Sequence, residues 1–209
     1  TMGAWLLTPT KEEIKGGLVI GHGYGGREGY QIGYIPKNTV IILPVARGFD
    51  ISASAGYPNE ASKHVIFNIE DKNKYSLRGC VAELWSAISC LYELYPQITT
   101  CSYGGSSFGG GLGALMAPFE KRLARVHLCV PTFGNHPIRL KIPCTGSGES
   151  VRIYSELSPH VIQNVLPFYD AASAASLITI PALISPALFD PAVPPPGQFS
   201  VANAIPSEK

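Results

Sequence analysis

Charge is what this sequence has least of. Asp, Glu, Lys and Arg make up 15% of its 209 residues, against roughly 25% in an ordinary soluble domain. The 16 Lys and Arg are balanced by 15 Asp and Glu, so no global field draws in nucleic acid or an anionic membrane surface, and neither is expected as a partner. Disulfide chemistry has little to work with. The five cysteines, Cys80, Cys90, Cys101, Cys129 and Cys144, are odd in number, widely spaced and free of any C-x-x-C pair. Buried free thiols in a reducing, cytoplasmic compartment fit that pattern. No apolar run reaches the roughly 18 residues of a membrane span. The N-terminus lacks a basic segment followed by an apolar one, as a secretory signal would need. There is no H-x-x-x-H, no H-E-x-x-H and no Cys/His cluster, so neither a metal nor another cofactor is expected.

What remains is apolar and regularly spaced. Hydrophobic residues make up 45% of the chain, and no Pro/Gly/Ser-rich linker divides it, so residues 1–209 read as one domain. Runs flanked by Gly or Pro recur at Ala4-Trp5-Leu6-Leu7, Gly17-Leu18-Val19-Ile20, Thr39 to Leu43, Ile98 to Cys101, Val126 to Val130 and Ala182-Leu183-Ile184. Continuous apolarity predicts strands covered on both faces. Between the third and fourth runs, Val81, Leu84, Trp85, Ile88, Leu91 and Leu94 mark one helical stripe within Arg78 to Tyr95. A second helix is expected from Phe108 to Phe119, and a third over Tyr169 to Leu177 with Asp170 at its N-terminus. Strands alternating with helices predict a three-layer α/β fold with a mostly parallel sheet and helices on both faces. The chain stops at Lys209 just after Pro194-Pro195-Pro196, read as a proline-rich loop, and a short helical pattern. A missing C-terminal tail is expected.

The most informative segment runs from Tyr103 to Gly111 and holds a G-x-S-x-G core, Gly105 to Gly109, between a strand pattern and a helix pattern. In a nucleophile elbow the serine sits on a strained strand-to-helix turn, and side chains two positions either side would collide with it. Ser107 is the candidate nucleophile. The N–H of Phe108, at the start of the helix, is a candidate oxyanion donor. Close packing of a helix on a strand is the other account of these glycines.

A second donor is expected from the loop after an earlier strand, and Gly21-His22-Gly23-Tyr24-Gly25-Gly26 follows Leu18-Val19-Ile20. The Tyr24 N–H is the candidate, with His22 shaping the loop. The same glycines satisfy G-x-G-x-x-G, a dinucleotide fingerprint, but no good opening helix and no ribose-binding acid follow. In the hydrolase order an acid and then a histidine come after the serine. Among the later acids, Asp190 stands beyond the last strand pattern and ahead of Pro191, the place for an orienting carboxylate or for a turn-initiating Asp. No histidine follows it. His127 reads as a strand residue, and His64, His136 and His160 as loop or surface side chains. Tyr34, Phe108 and Phe133 are candidates to line an acyl pocket.

Taken in order, these motifs resemble the acetyl xylan esterase and cephalosporin C deacetylase family, carbohydrate esterase family seven, of the α/β-hydrolase superfamily. The likeness runs through His22-Gly23-Tyr24-Gly25-Gly26, Arg47-Gly48, Tyr75 to Gly79, the elbow, Val130-Pro131, Phe168 to Ala171 and Asp190 with Pro194-Pro195 and Phe199. It implies a serine esterase removing acetyl groups from small acylated substrates, with Ser107 as nucleophile, Asp190 as acid, and Tyr24 and Phe108 amides as oxyanion donors. It also implies a ring-like homo-oligomer. Two positions depart from the family: Phe108 replaces a common glutamine, and the family's histidine would fall beyond Lys209. A catalytically inactive binding module on the same fold is the alternative.

Overall fold

Six strands form one sheet in the order β1-β3-β2-β4-β5-β6 in this computed structural model, which describes residues 2–10, 13–29 and 36–206. They are β1 (Ala4–Leu7), β2 (Gly16–Gly21), β3 (Thr39–Pro44), β4 (Thr100–Ser106), β5 (Leu123–Cys129) and β6 (Ala182–Ser185). Only β1 runs antiparallel, against β3; every other neighbouring pair is parallel. Parallel neighbours need crossovers. Helices α1 (Ala61–His64) and α2 (Ser76–Leu94) lie between β3 and β4, α3 (Phe108–Met116) between β4 and β5, α4 (His136–Arg139), α5 (Gly148–Leu157), α6 (His160–Asn164) and α7 (Ala171–Ala175) between β5 and β6, and α8 (Pro195–Ala204) follows β6.

The α2 stripe buries most of its residues, with Trp85 partly covered and Leu94, at the end of the helix, 55% exposed. Val81, Leu84, Ile88 and Leu91 are buried in one cluster with Val19, Ile42, Tyr103 and Val126, and Leu112 and Leu115 of α3 join it. Register explains why these sheet residues share a face: Val19 pairs with Ile42 and Tyr103, Tyr103 with Val126, and Val126 with Ala182. One residue along, Ile20, Gly104, His127 and Leu183 line up on the opposite face. There β3 is buried through Ile41 and Leu43. Across β2, β4 and β5 the second face is a broad depression of about 960 Å³ among the described residues, with Arg27, Arg125 and His127 on its walls.

Several boundaries differ from expectation. The fourth strand begins at Thr100, because the Ile98 N–H closes a turn onto the Tyr95 carbonyl. β6 ends at Ser185, so Asp190 lies on a loop five residues further on. Pro195 and Pro196 open α8 instead of extending the loop, since the first helical turn needs no N–H from them. The helix after the elbow tightens into a 3₁₀ turn at Ala117–Phe119. Asp170 caps α7, its Oδ1 accepting the Ser173 N–H at 2.8 Å. No helix among the described residues is long and apolar enough to cross a membrane.

Candidate active site

Ser107 sits at the corner between β4 and α3 with φ 54° and ψ −113°, a conformation that L-residues rarely adopt. Backbone crowding keeps it there. A Cβ on Gly105 would stand 2.5 Å from the Gly109 carbonyl oxygen, and one on Gly109 would stand 2.7 Å from the Gly21 carbonyl carbon. The Tyr103 hydroxyl donates to the Gly109 carbonyl at 2.6 Å, and the Ser107 N–H to Cys129 at 2.9 Å. Thr132 closes the corner from the other side, its N–H and Oγ1 both donating to the Ser107 carbonyl at 3.2 Å.

The Gly21–Gly26 loop arrives beside this corner. A Cβ on Gly23 would lie 4.0 Å from that of Ser107, and the Tyr24 ring stacks on Phe108 with centroids 4.0 Å apart. The His22 Nε2 accepts the Ala46 N–H at 2.9 Å, which leaves Nδ1–H to donate to the Gly23 carbonyl at 2.6 Å. Both ring nitrogens are thus spent on backbone. The His64 Nε2 faces the Arg47 carbonyl at 3.1 Å, so its Nδ1 accepts the Tyr24 hydroxyl at 3.3 Å. Burial pulls the His64 pKa down to about 4 and that of His22 below its ordinary value, keeping both rings neutral. Neither the Tyr24 nor the Phe108 N–H has a hydrogen-bond partner among the described residues. Among the described residues no helix follows Gly26 directly, Arg27 to Gly29 being irregular, whereas a dinucleotide site of this kind sets the pyrophosphate on a helix N-terminus.

A cavity of about 370 Å³ opens over Ser107, walled by Tyr24, Phe133, His136, Arg139 and Val193. Phe133 lines it as expected of an acyl pocket, whereas Phe108 is buried beneath Tyr24 and Tyr34 lies outside the described residues. The wall after β5 is strained, with positive φ at Val130, Phe133 and Asn135. The Asp190 carboxylate is not on the cavity wall. Its Oδ1 accepts the Ala192 and Val193 N–H groups at 2.9 Å and its Oδ2 faces Gln198 Nε2 at 3.5 Å. The turn-forming account of this residue therefore describes its contacts. Its loop does reach the cavity, through Ala192, Val193 and Pro194.

The histidines need correction. His64 is 0% exposed and His136 only 5% exposed, where loop or surface positions were expected. Both are drawn inward because their rings bond main-chain carbonyls, Arg47 for His64 and Tyr169 for His136 at 3.1 Å. His127 is on the open sheet face beside Ser185, and His160 pairs with Glu70 on the surface. None of the five hydrogen-bonds to Ser107 or Asp190 among the described residues. The same residues include no cluster of three His, Cys, Asp or Glu able to hold a metal ion. Arg139 and Gln198, both buried beside the cavity or its loop, were not anticipated. The sequence around Arg139 holds a second cation, Lys141, and no acid between Glu120 and Glu149, a pattern that does not single out either cation.

The acetyl xylan esterase (AXE1) family profile matches residues 1–209, the whole chain. The chain belongs to the acetyl xylan esterase family. It is a carboxylic-ester hydrolase of the α/β-hydrolase type. Solved structures agree on the fold. The acetyl xylan esterase from Paenibacillus sp. R4 superposes with a TM-score of 0.78 at 20% identity, covering 100% of this chain and 71% of that one. Acetyl xylan esterase 1 from Thermoanaerobacterium sp. JW/SL YS485 gives 0.81 at 20% identity, covering 100% and 70%. An acylaminoacyl peptidase from Pyrococcus horikoshii is similar at 0.67 and 14% identity, over 99% of this chain and 33% of its own. No curated protein matches the sequence. This esterase thus spans about seven tenths of the length of the solved esterases that share its fold.

Proposed function

We propose that this esterase removes acetyl or other short acyl groups from small acylated substrates, with Ser107 as nucleophile, the Tyr24 and Phe108 amides as the oxyanion hole and Asp190 as the acid. The single observation that carries the reading is the Ser107 corner: a strained serine on a cavity wall, beside two main-chain N–H groups with no internal acceptor. Such donors do not have to reorganise when an oxyanion forms, and the α3 N-terminus adds a favourable dipole. The small cavity, narrowed by Phe133 and Tyr24, suits a short acyl group better than a long one. The base would be a histidine outside the set of five in this chain, oriented by Asp190. Unpaired thiols, five in all, suit a reducing cytoplasm.

A fluorophosphonate probe tests this directly. Stoichiometric labelling that disappears in Ser107→Ala, with acetyl esters cleaved faster than butyryl ones, is the expected result; absence of labelling overturns it. The second reading, a hydrolase-fold binding module without turnover, is favoured by the five histidines all being engaged or placed elsewhere. It predicts an unlabelled Ser107 and retained binding of a small deacylated ligand.

A further inference from the structure

One charge near Ser107 has no use in the chemistry described so far. Arg139, at the end of α4, is 8% exposed and lines the same cavity. Its Nη1 donates to the Ile142 carbonyl at 2.7 Å and its Nη2 to the Cys144 sulfur at 2.6 Å. No carboxylate comes within ion-pair distance of it among the described residues. Glu149, the nearest acid in sequence, is engaged elsewhere, by the Cys144 N–H at 3.0 Å and by Arg152 at 2.7 Å. A guanidinium carries five N–H donors, and only two bonds are formed here. A buried cation without a counter-ion costs several kcal/mol, and most proteins replace or pair it.

A helix end shares this wall with the guanidinium. The guanidinium lies against the first turn of α5, so close that a Cβ on Gly148 would stand 2.3 Å from Nη2 and 3.0 Å from Cζ. The ten-residue α5 points its positive end there, and its N-cap residue Ser147 supplies no side-chain bond. Ser147, Gly148 and Thr145 all line the cavity beside Arg139. Glu149, in the first turn of α5, is the one acid close enough to be felt by Arg139, and its carboxylate is taken up by the Cys144 N–H and Arg152 instead of bonding the guanidinium.

We propose that this wall is a carboxylate-binding subsite and that the substrate is an ester carrying a carboxylate, held by the free edge of Arg139 while the ester lies over Ser107. The planar fork of the guanidinium matches a carboxylate, and its bonds to Ile142 and Cys144 keep it in place before substrate arrives. The ester part of this statement rests on the serine-esterase reading; the carboxylate part does not.

The test pairs benzyl acetate with 4-carboxybenzyl acetate, and titrates the product 4-carboxybenzyl alcohol into the Ser107→Ala protein by calorimetry. The expected result is a kcat/KM about ten- to a hundredfold higher for the carboxylate ester. In Arg139→Gln that ratio falls toward one, and Arg139→Lys recovers part of it. Gly148→Ala, which displaces the guanidinium without removing it, lowers the ratio too. Calorimetric binding of the acid, weakened at least tenfold in Arg139→Gln, supports the subsite even if neither ester is cleaved, in which case only the esterase reading fails. Equal cleavage of both esters with no Arg139-dependent binding overturns the subsite and leaves the esterase standing.

Discussion

The two halves of the site are held in opposite ways. Ser107 is locked from every side by backbone: Gly105 against Gly109, Gly109 against Gly21, Thr132 on its carbonyl, and the core beneath. Asp190 is held by its own loop, two N–H groups two and three residues on, with Gln198 at the limit of hydrogen-bond length. Just before it Leu188 and Phe189 are 90% and 85% exposed. The geometry of Ser107, the proposed nucleophile, is thus a property of the packed sheet and helix, whereas that of Asp190, the proposed acid, is a property of a surface turn anchored to the 144–148 segment by the Thr145 N–H on the Pro191 carbonyl at 2.8 Å. Strain is tolerated only where the surroundings over-determine it.

The sharpest way to break that contrast is to add one methyl group on the nucleophile side. Gly105→Ala or Gly109→Ala places a Cβ within 2.7 Å of main-chain atoms that cannot move independently. We expect a loss of about 3 kcal/mol in urea unfolding and no probe labelling at Ser107. The equivalent methyl at Gly25, which has open space around it and no positive φ, should leave the unfolding midpoint in place.

Acid should loosen the same half. His64 joins the Gly21–Gly26 loop to the strand β3 side through Tyr24 and Arg47, and its folded pKa of about 4 lies below the ordinary 6.5. The unfolded chain therefore binds the proton first. Stability is full above about pH 6.5, falls as the pH drops toward 4, and loses nothing more from this group below that. The loss is on the order of 3 kcal/mol, and His22 and His136, also pushed down by burial, act in the same direction. Urea midpoints at pH 7 and pH 4.5 measure it; His64→Gln should flatten the profile.

Ser107→Gly reverses the usual sign of a mutation. Glycine reaches positive φ without a Cβ penalty, so removing the side chain at φ 54° should stabilise the fold by about 1 kcal/mol while abolishing labelling. A destabilised variant would show that the corner is not strained and that the hydroxyl itself holds the turn.

What could be read from the sequence tracks this difference. The strained strand-to-helix corner at Ser107 was legible because its glycine spacing encodes a steric requirement complete within five residues, Gly105 to Gly109. Helix α2 was legible from its stripe, and the α7 cap from Asp170 ahead of an alanine run. His64, His136, Arg139 and Gln198 were not. Each is buried by segments distant in sequence, as when the His136 ring meets Tyr169 and its N–H meets Asp170 at 2.7 Å. No local pattern records such a meeting. Asp190 was found by its position after a strand pattern, but its contacts depend on where α8 places Gln198, and proline spelling had disguised the start of that helix as loop.

The smallest effect should come from Asp190 itself. Asp190→Asn keeps an Oδ1 able to accept from the Ala192 and Val193 N–H groups, and the residue is partly exposed, so the turn survives. We expect thermal unfolding to change by less than about 0.5 kcal/mol. Gln198→Ala should cost more, about 2 kcal/mol, because Gln198 is fully buried and leaves the Ala187 N–H without its acceptor at 2.7 Å. If Asp190→Asn proved the more damaging of the two, the carboxylate charge would be holding the loop, and the acid half would be as firmly built as the corner that carries Ser107.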